Sequence, residues 1–243
     1  MIIDNPFDRI QSSEFSDNPE PRCAVVLVLD VSSSMSGQPI SELNQGLLAF
    51  EQSIKQDPLA RLRVDVSIIT FGLNVDQLLL ESSPTEAGIP RYAAFVNADD
   101  FKAPVLSANG TTPLYPALTK AMDALQARKQ EYRTGNPPVD YYRPWLIVIT
   151  DGLPNPDPTR SSVVQSVKSA IAKREFTLLA IGVDNADMST LAELADHPKP
   201  VKLRGLAFKE MFSWLSNSLK AVSRSNLSTT GLQLSKPDWT IDV

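Results

Sequence analysis

Apolar positions along this chain fall into two patterns that alternate from one end to the other. Residues 23–30, Cys-Ala-Val-Val-Leu-Val-Leu-Asp, are an almost unbroken β-branched and leucine run. Such a run predicts a strand covered on both faces, as in a parallel sheet. From Pro39 the pattern changes: Ile40, Leu43, Leu47, Phe50 and Ile54 recur at spacings of three and four, which predicts an amphipathic helix. Asp57-Pro58 closes it, because a residue before proline avoids the α region. Residues 64–71 and 75–80 read as two strands joined by the short Gly72-Leu73-Asn74, which suits a hairpin and an antiparallel edge strand. Residues 82–111 are irregular, with Pro84, Pro90, Pro104 and Asn109-Gly110. Then come a helix from Pro113 (Leu114, Leu118, Met122 and Leu125 on one face), a buried strand at 145–150, and a helix marked by Val163, Val164, Val167 and Ile171. A strand at 176–183, short elements at 188–195 (helix) and 201–203 (strand), and a helix carrying Phe208, Met211, Phe212, Leu215, Leu219 and Val222 complete the series.

Strands alternating with helices predict a doubly wound α/β fold, a mostly parallel sheet with one antiparallel edge strand and helices on both faces. One domain over 22–224 is expected, preceded by a polar leader over 1–21 and followed by a tail over 225–243 that is loose or docked through Trp239. With 243 residues, 42% of them hydrophobic, the chain is long enough for one sizeable core. The net charge of −5 leaves no basic excess to neutralise phosphates, so nucleic acid is not an expected partner. A single cysteine, Cys23, excludes an internal disulfide. Neither a secretory signal nor an apolar run of about 18 residues or more is found, and a cytoplasmic location without membrane contact is the expectation.

In doubly wound sheets ligands sit at the carboxyl ends of the strands. The first strand ends in Asp30-Val-Ser32-Ser-Ser34-Met-Ser-Gly37, and the strand at 145–150 ends in Asp151-Gly152. A third loop, Asn109-Gly-Thr111-Thr112-Pro-Leu114, precedes a helix. Together these bring two carboxylates and several hydroxyls to one edge of the sheet. All are hard oxygen donors of the kind that Mg²⁺ takes, with Mn²⁺ as an alternative; imidazole and thiolate are missing. Each loop alone reads as an ordinary capped turn. Their order along one sheet edge is what points to a metal.

This arrangement resembles the metal-ion-dependent adhesion site of von Willebrand factor A (VWA) domains, over roughly residues 22–224. Asp30, Ser32, Ser34, Thr112 and Asp151 match its five motif positions. Thr112 is preferred because it directly precedes Pro-Leu, with Thr111 as the competing choice. The stretches Asp30-Val-Ser-Ser-Ser-Met-Ser-Gly-Gln-Pro-Ile40, Ile69-Thr-Phe-Gly72 and Tyr141-Tyr-Arg-Pro-Trp145 are similar to the bacterial tellurium-resistance (TerY-like) branch. Thr111 departs from that branch, where a second glycine is common. The resemblance implies that Ser32, Ser34 and Thr112 hold the ion through hydroxyls. It also implies that Asp30 and Asp151 act largely through waters, and that one position stays open for an Asp or Glu of a protein partner. It further implies a stress-response or tellurite-resistance setting with kinase- or phosphatase-like partners.

The rival reading is a metal-dependent hydrolase or phosphotransferase using Asp30 or Asp151. Against it, the loops carry no further general acid or base, so a binding module and not an enzyme is expected. His197, the only histidine, is expected at the surface, and without a second one neither a zinc site nor a Ser-His-Asp triad is expected. Cys23 is expected to be an inert core thiol, and Asp65, between Val64 and Val66, to occupy a solvent-facing or edge position.

Overall fold

The computed structural model describes residues 15–82, 91–183, 186–195, 198–225 and 239–241. Strand β1 (Cys23–Asp30) is followed by helix α1 (Gln38–Gln56), a one-turn helix α2 (Ala60–Arg63) and strand β2 (Val64–Phe71). Four short strands follow: β3 (Val75–Gln77), β4 (Leu80–Ser82), β5 (Arg91–Ala93) and β6 (Val96–Asn97). The second half alternates α3 (Leu114–Thr134), β7 (Trp145–Thr150), α4 (Arg160–Ala172), β8 (Thr177–Gly182), α5 (Met188–Leu194), β9 (Val201–Leu203), α6 (Phe208–Arg224) and β10 (Thr240–Ile241).

The main sheet runs β10-β9-β8-β7-β1-β2-β3, with β6 also paired to β2. Strands β9, β8, β7, β1 and β2 are mutually parallel. Strand β3 is the antiparallel edge strand that the Gly72-Leu73-Asn74 hairpin predicts. Strand β6 joins β2 antiparallel, and β10 does the same at the opposite edge beside β9. These pairings were hidden in the sequence, because strands of two residues carry no period to read. The stretch expected as one strand at 75–80 divides: β3 stays in the main sheet, and β4 pairs with β5 in a separate ribbon.

Alternate residues of β1 supply two cores. Cys23, Val25, Leu27 and Leu29 pack with Leu43, Leu47 and Phe50 of α1 and with Phe208, Phe212 and Leu215 of α6. Ala24, Val26 and Val28 pack on the other face with Leu118, Ala121 and Leu125 of α3 and Val163 and Val167 of α4. Trp239 is buried edge-on against Trp214, so the described part of the tail is docked. At the other end, Phe15 is buried, so the leader is partly built into the domain. Cys23 is buried, and burial, with the Asp65 charge adding to it, pushes its thiol up to about 12; it is inert as expected. Among the described residues no helix is long and apolar enough to cross a membrane. His197 lies outside the described residues.

Asp65 corrects the sequence reading. It is fully buried, not exposed. Its Oδ1 accepts from Arg22 Nη1 (3.2 Å) and Asn97 Nδ2 (3.1 Å), and its Oδ2 from Arg128 Nη2 (2.9 Å) and the Tyr132 hydroxyl (2.6 Å). Burial opposes its charge, but the attraction of Arg128 and Arg22 and the hydrogen bonds of Tyr132 and Asn97 hold its pKa below the usual carboxylate range. A Val-Asp-Val strand looks half-exposed only when its partners, 43 and 63 residues away, are not in view.

Candidate metal site

Strands β1 and β7 are hydrogen-bonded neighbours, with Leu29 opposite Ile149. Asp30 and Thr150 are therefore next in register, and side chains at matched positions of parallel strands leave the same face. Thr150 Oγ1 donates to Asp30 Oδ2 at 2.5 Å, and the backbone N–H of Ser32 donates to Asp30 Oδ1 at 2.8 Å. The chain then turns through a 3₁₀ segment, Ser33–Met35, pinned by the fully buried Met35. That turn brings Ser32 Oγ to 3.0 Å from Ser34 Oγ, and Ser34 Oγ donates to Asp151 Oδ1 at 2.8 Å. Four of the five residues singled out in the sequence are thus joined in one continuous hydrogen-bonded chain.

The fifth, Thr112, arrives on the loop before α3. Two backbone bonds fix that loop to the first: Ser33 N–H to Gly110 O (3.0 Å) and Asn109 N–H to Val31 O (2.6 Å). Gly110 takes φ +87°, and a Cβ there would fall 2.1 Å from the Leu73 nitrogen. Only glycine permits this approach. Thr112 is buried, and a Cβ on Gly152 would fall 3.2 Å from Thr112 Oγ1 and 3.9 Å from Asp30 Oδ2. Thr112 and Asp30 therefore face the same glycine, Gly152, next to Asp151. Thr111 is exposed and its hydroxyl accepts from Asn155 Nδ2 at 2.8 Å. Asn155 also ties the 152–155 loop down: its Oδ1 accepts from Thr112 N–H (3.2 Å) and its own N–H donates to Thr112 O (3.0 Å).

The electrostatics follow from this geometry. Burial raises the Asp30 pKa above the usual carboxylate value, and the like charge of Asp151 adds to the rise. Hydrogen bonds from Ser32 and Thr150 offset it in part. A buried carboxylate whose charged neighbour has the same sign is unfavourable unless a cation joins it. Among the described residues no group of three His, Cys, Asp or Glu side chains comes together. The donors here are two carboxylates and three hydroxyls, all oxygen, a set that fits a small hard divalent cation.

Thr150 and Asn155 were not singled out in the sequence. Strand register could have found Thr150, since it lies across from Asp30 once β1 and β7 are paired. Asn155 had no local signal, because its partners Thr111 and Thr112 are more than 40 residues away.

Comparison with known families and structures identifies the fold. Residues 24–211 match the von Willebrand factor type A domain family. The pilus adhesin SpaC from Lactobacillus rhamnosus GG, in its open conformation, superposes with a TM-score of 0.58 at 17% identity, covering 85% of this chain and 31% of that one. Proximal thread matrix protein 1 from the mussel byssus, with a zinc-occupied adhesion-site motif, gives 0.53 at 14% identity over 85% and 47% of the two chains. The human COPII-coat protein Sec24c gives 0.52 at 13% identity over 84% and 33%. At these identities the likeness is one of fold. The chain spans 31–47% of the length of these structures. No curated protein sequence matches.

Proposed function

The chain belongs to the von Willebrand factor type A domain family, and from that premise we propose that it is a metal-dependent protein–protein interaction module and not an enzyme. The single observation that supports this best is the pairing of buried Asp30 with Asp151 through Ser32 and Ser34, where the like charge of Asp151 adds to the burial that raises the Asp30 pKa. We assign Asp30, Ser32, Ser34, Thr112 and Asp151 as the metal-holding residues. Thr112 is preferred to Thr111 because Thr112 is buried beside Gly152, whereas the Thr111 hydroxyl is held by Asn155.

When bound, a divalent cation supplies an electron-poor centre to which a carboxylate can coordinate. The protein's part is to hold the donors. Thr150 and the Ser32 N–H fix both oxygens of Asp30, the 3₁₀ turn sets the two serines, and Asn155 anchors the loop of Thr112. Two aspartates balance a divalent charge overall, but when they act largely through waters the ion stays electron-poor on its open side. There an incoming Asp or Glu of a partner replaces a water and gains a short-range attraction. Mg²⁺, or Mn²⁺ in its place, matches an all-oxygen set; the mussel protein's site is occupied by zinc, but zinc favours nitrogen and sulfur ligands. The setting in stress response or tellurite resistance, with kinase- or phosphatase-like partners, rests on the sequence resemblance alone.

A pull-down with the Mg²⁺-loaded protein, repeated with EDTA and with Asp151→Ala, tests the reading. Partners should be lost in both controls. A partner retained equally in all three would show that binding does not pass through the metal. Purified protein with Mg²⁺ or Mn²⁺ should hydrolyse neither ATP nor a generic phosphomonoester above an Asp30→Ala control; turnover that disappears in that variant would favour the hydrolase.

A further inference from the structure

Six large apolar side chains among the described residues are exposed: Leu48, Leu73, Leu79, Tyr92, Val105 and Leu153. Single exposed leucines are ordinary. Two of these, however, flank the same loop at the site. Leu73, 69% exposed, rests its backbone against Gly110 on one side of the 109–112 loop. Leu153, 71% exposed, follows β7, which borders β1 on the side opposite β2, the strand that Leu73 follows. Leu153 is carried between Gly152, which faces Thr112 Oγ1 and Asp30 Oδ2, and Asn155, which is bonded to the Thr112 backbone in both directions.

Charge around the site narrows the partner further. The segments that border it, residues 31–37, 72–74, 109–113 and 152–157, contain no Lys or Arg. They do contain Asp157, whose carboxylate is held below the usual range by hydrogen bonds from Thr159. A partner segment with several acids would find no Lys or Arg on these four segments and would meet the charge of Asp157. Apolar side chains next to a single acid would instead find Leu73 and Leu153.

We propose that the site takes a protein segment in which one Asp or Glu is flanked by apolar side chains, with Leu73 and Leu153 forming the apolar walls on either side of the metal-coordinating acid. The proposal rests on the metal-dependent reading above and adds to it the chemistry of the partner. Partial burial of a leucine-sized side chain against such walls should read as roughly a tenfold preference.

The test uses random twelve-residue peptides displayed on phage, selected on the Mg²⁺-loaded protein and eluted with EDTA. Sequences with one acid and Leu, Ile, Val or Phe within two residues of it should be enriched. The same selection on a Leu73→Ser, Leu153→Ser double variant should still yield EDTA-eluted acidic peptides without the apolar enrichment. Synthetic versions of the enriched peptides should bind the variant about tenfold more weakly. Calorimetry with Mg²⁺ alone on both proteins separates the two levels of the argument. Equal Mg²⁺ binding with apolar enrichment that persists in the variant, with acidic-run peptides selected instead, or with no acidic peptides at all, overturns the partner assignment and leaves the metal intact. Absence of Mg²⁺ binding by the unmodified protein overturns both.

Discussion

Asp30 and Asp65 sit on neighbouring strands of one sheet, both fully buried, at its opposite ends. The register pairs Asp65 with Ala24, six residues along β1 from Asp30, so about 20 Å separates them. Their surroundings differ in one respect. Asp65 is neutralised from within by Arg22 and Arg128, and its pKa is held down. Asp30 has Thr150, Ser32 and a second aspartate, and its pKa is held up. The two aspartates thus illustrate two treatments of a buried carboxylate: a cation carried by the fold at Asp65 and, in the proposed reading, hydroxyls arranged for a cation from solution at Asp30. The amino end of the sheet is a structural lock. In the proposed reading, the carboxyl end is a site that a divalent cation completes.

The largest effect should come from breaking the lock. Arg128 also stacks over the rings of Phe15, Phe95 and Tyr132, so Arg128→Ala removes packing as well as charge. It should lower stability in urea by about 3–5 kcal/mol, the range for orphaning one partner of a buried pair, while the remaining folded protein still binds Mg²⁺. A loss of under 1 kcal/mol would mean that the ion cluster is not a lock.

The site should behave in the opposite way. Asp30→Asn removes a buried charge that lacks an internal cation, so metal-free stability should hold or rise slightly. Its cost appears only with metal: at Mg²⁺ a hundred times above Kd the unmodified protein should gain about 2.7 kcal/mol, and the variant should gain none. If Asp30→Asn unfolds the metal-free protein, Asp30 belongs to the scaffold and the contrast fails.

Acid should separate the two ends. The folded pKa of Asp65 is depressed, so its contribution is present above its unfolded value of about 3.9 and is lost as pH falls through the folded one. The stability gap between unmodified protein and Asp65→Asn should therefore be constant near neutrality. Below about pH 4 it should narrow, by up to about 1.4 kcal/mol per pH unit. A gap independent of pH down to 2 would show that Asp65 contributes through shape alone.

The sequence made one end far more legible than the other. The carboxyl end announces itself because most of its donors lie in short motifs directly after apolar runs, Asp30 to Ser34 and Asp151-Gly152, and parallel strands bring such endings together. The strands β2 and β9 and the apolar faces of α1, α3 and α6 were readable for the same local reason. The lock is assembled from Arg22, Asp65, Asn97, Arg128 and Tyr132, scattered over more than a hundred residues, and no local period encodes that meeting. The two-residue strands β6 and β10 were unreadable for want of length.

The smallest expected effect bears on the threonine. Thr111→Ala should change stability by no more than about 0.5 kcal/mol, as surface substitutions do, and leave metal affinity nearly unchanged. Thr112→Ala should weaken Mg²⁺ binding at least about tenfold in calorimetry with the apo fold intact. The reverse ranking would transfer the ligand to Thr111.

The central claim is that the hydroxyls and carboxylates at the carboxyl end of the sheet hold a divalent cation. Crystals grown with Mn²⁺ and measured at the manganese edge test it most directly. The account predicts one strong anomalous peak within coordination distance of the Ser32 and Ser34 hydroxyls and beside Thr112, absent from Asp30→Asn crystals grown alongside. A Mn²⁺ peak elsewhere on the molecule, or density at the site that is unchanged in Asp30→Asn, would contradict it.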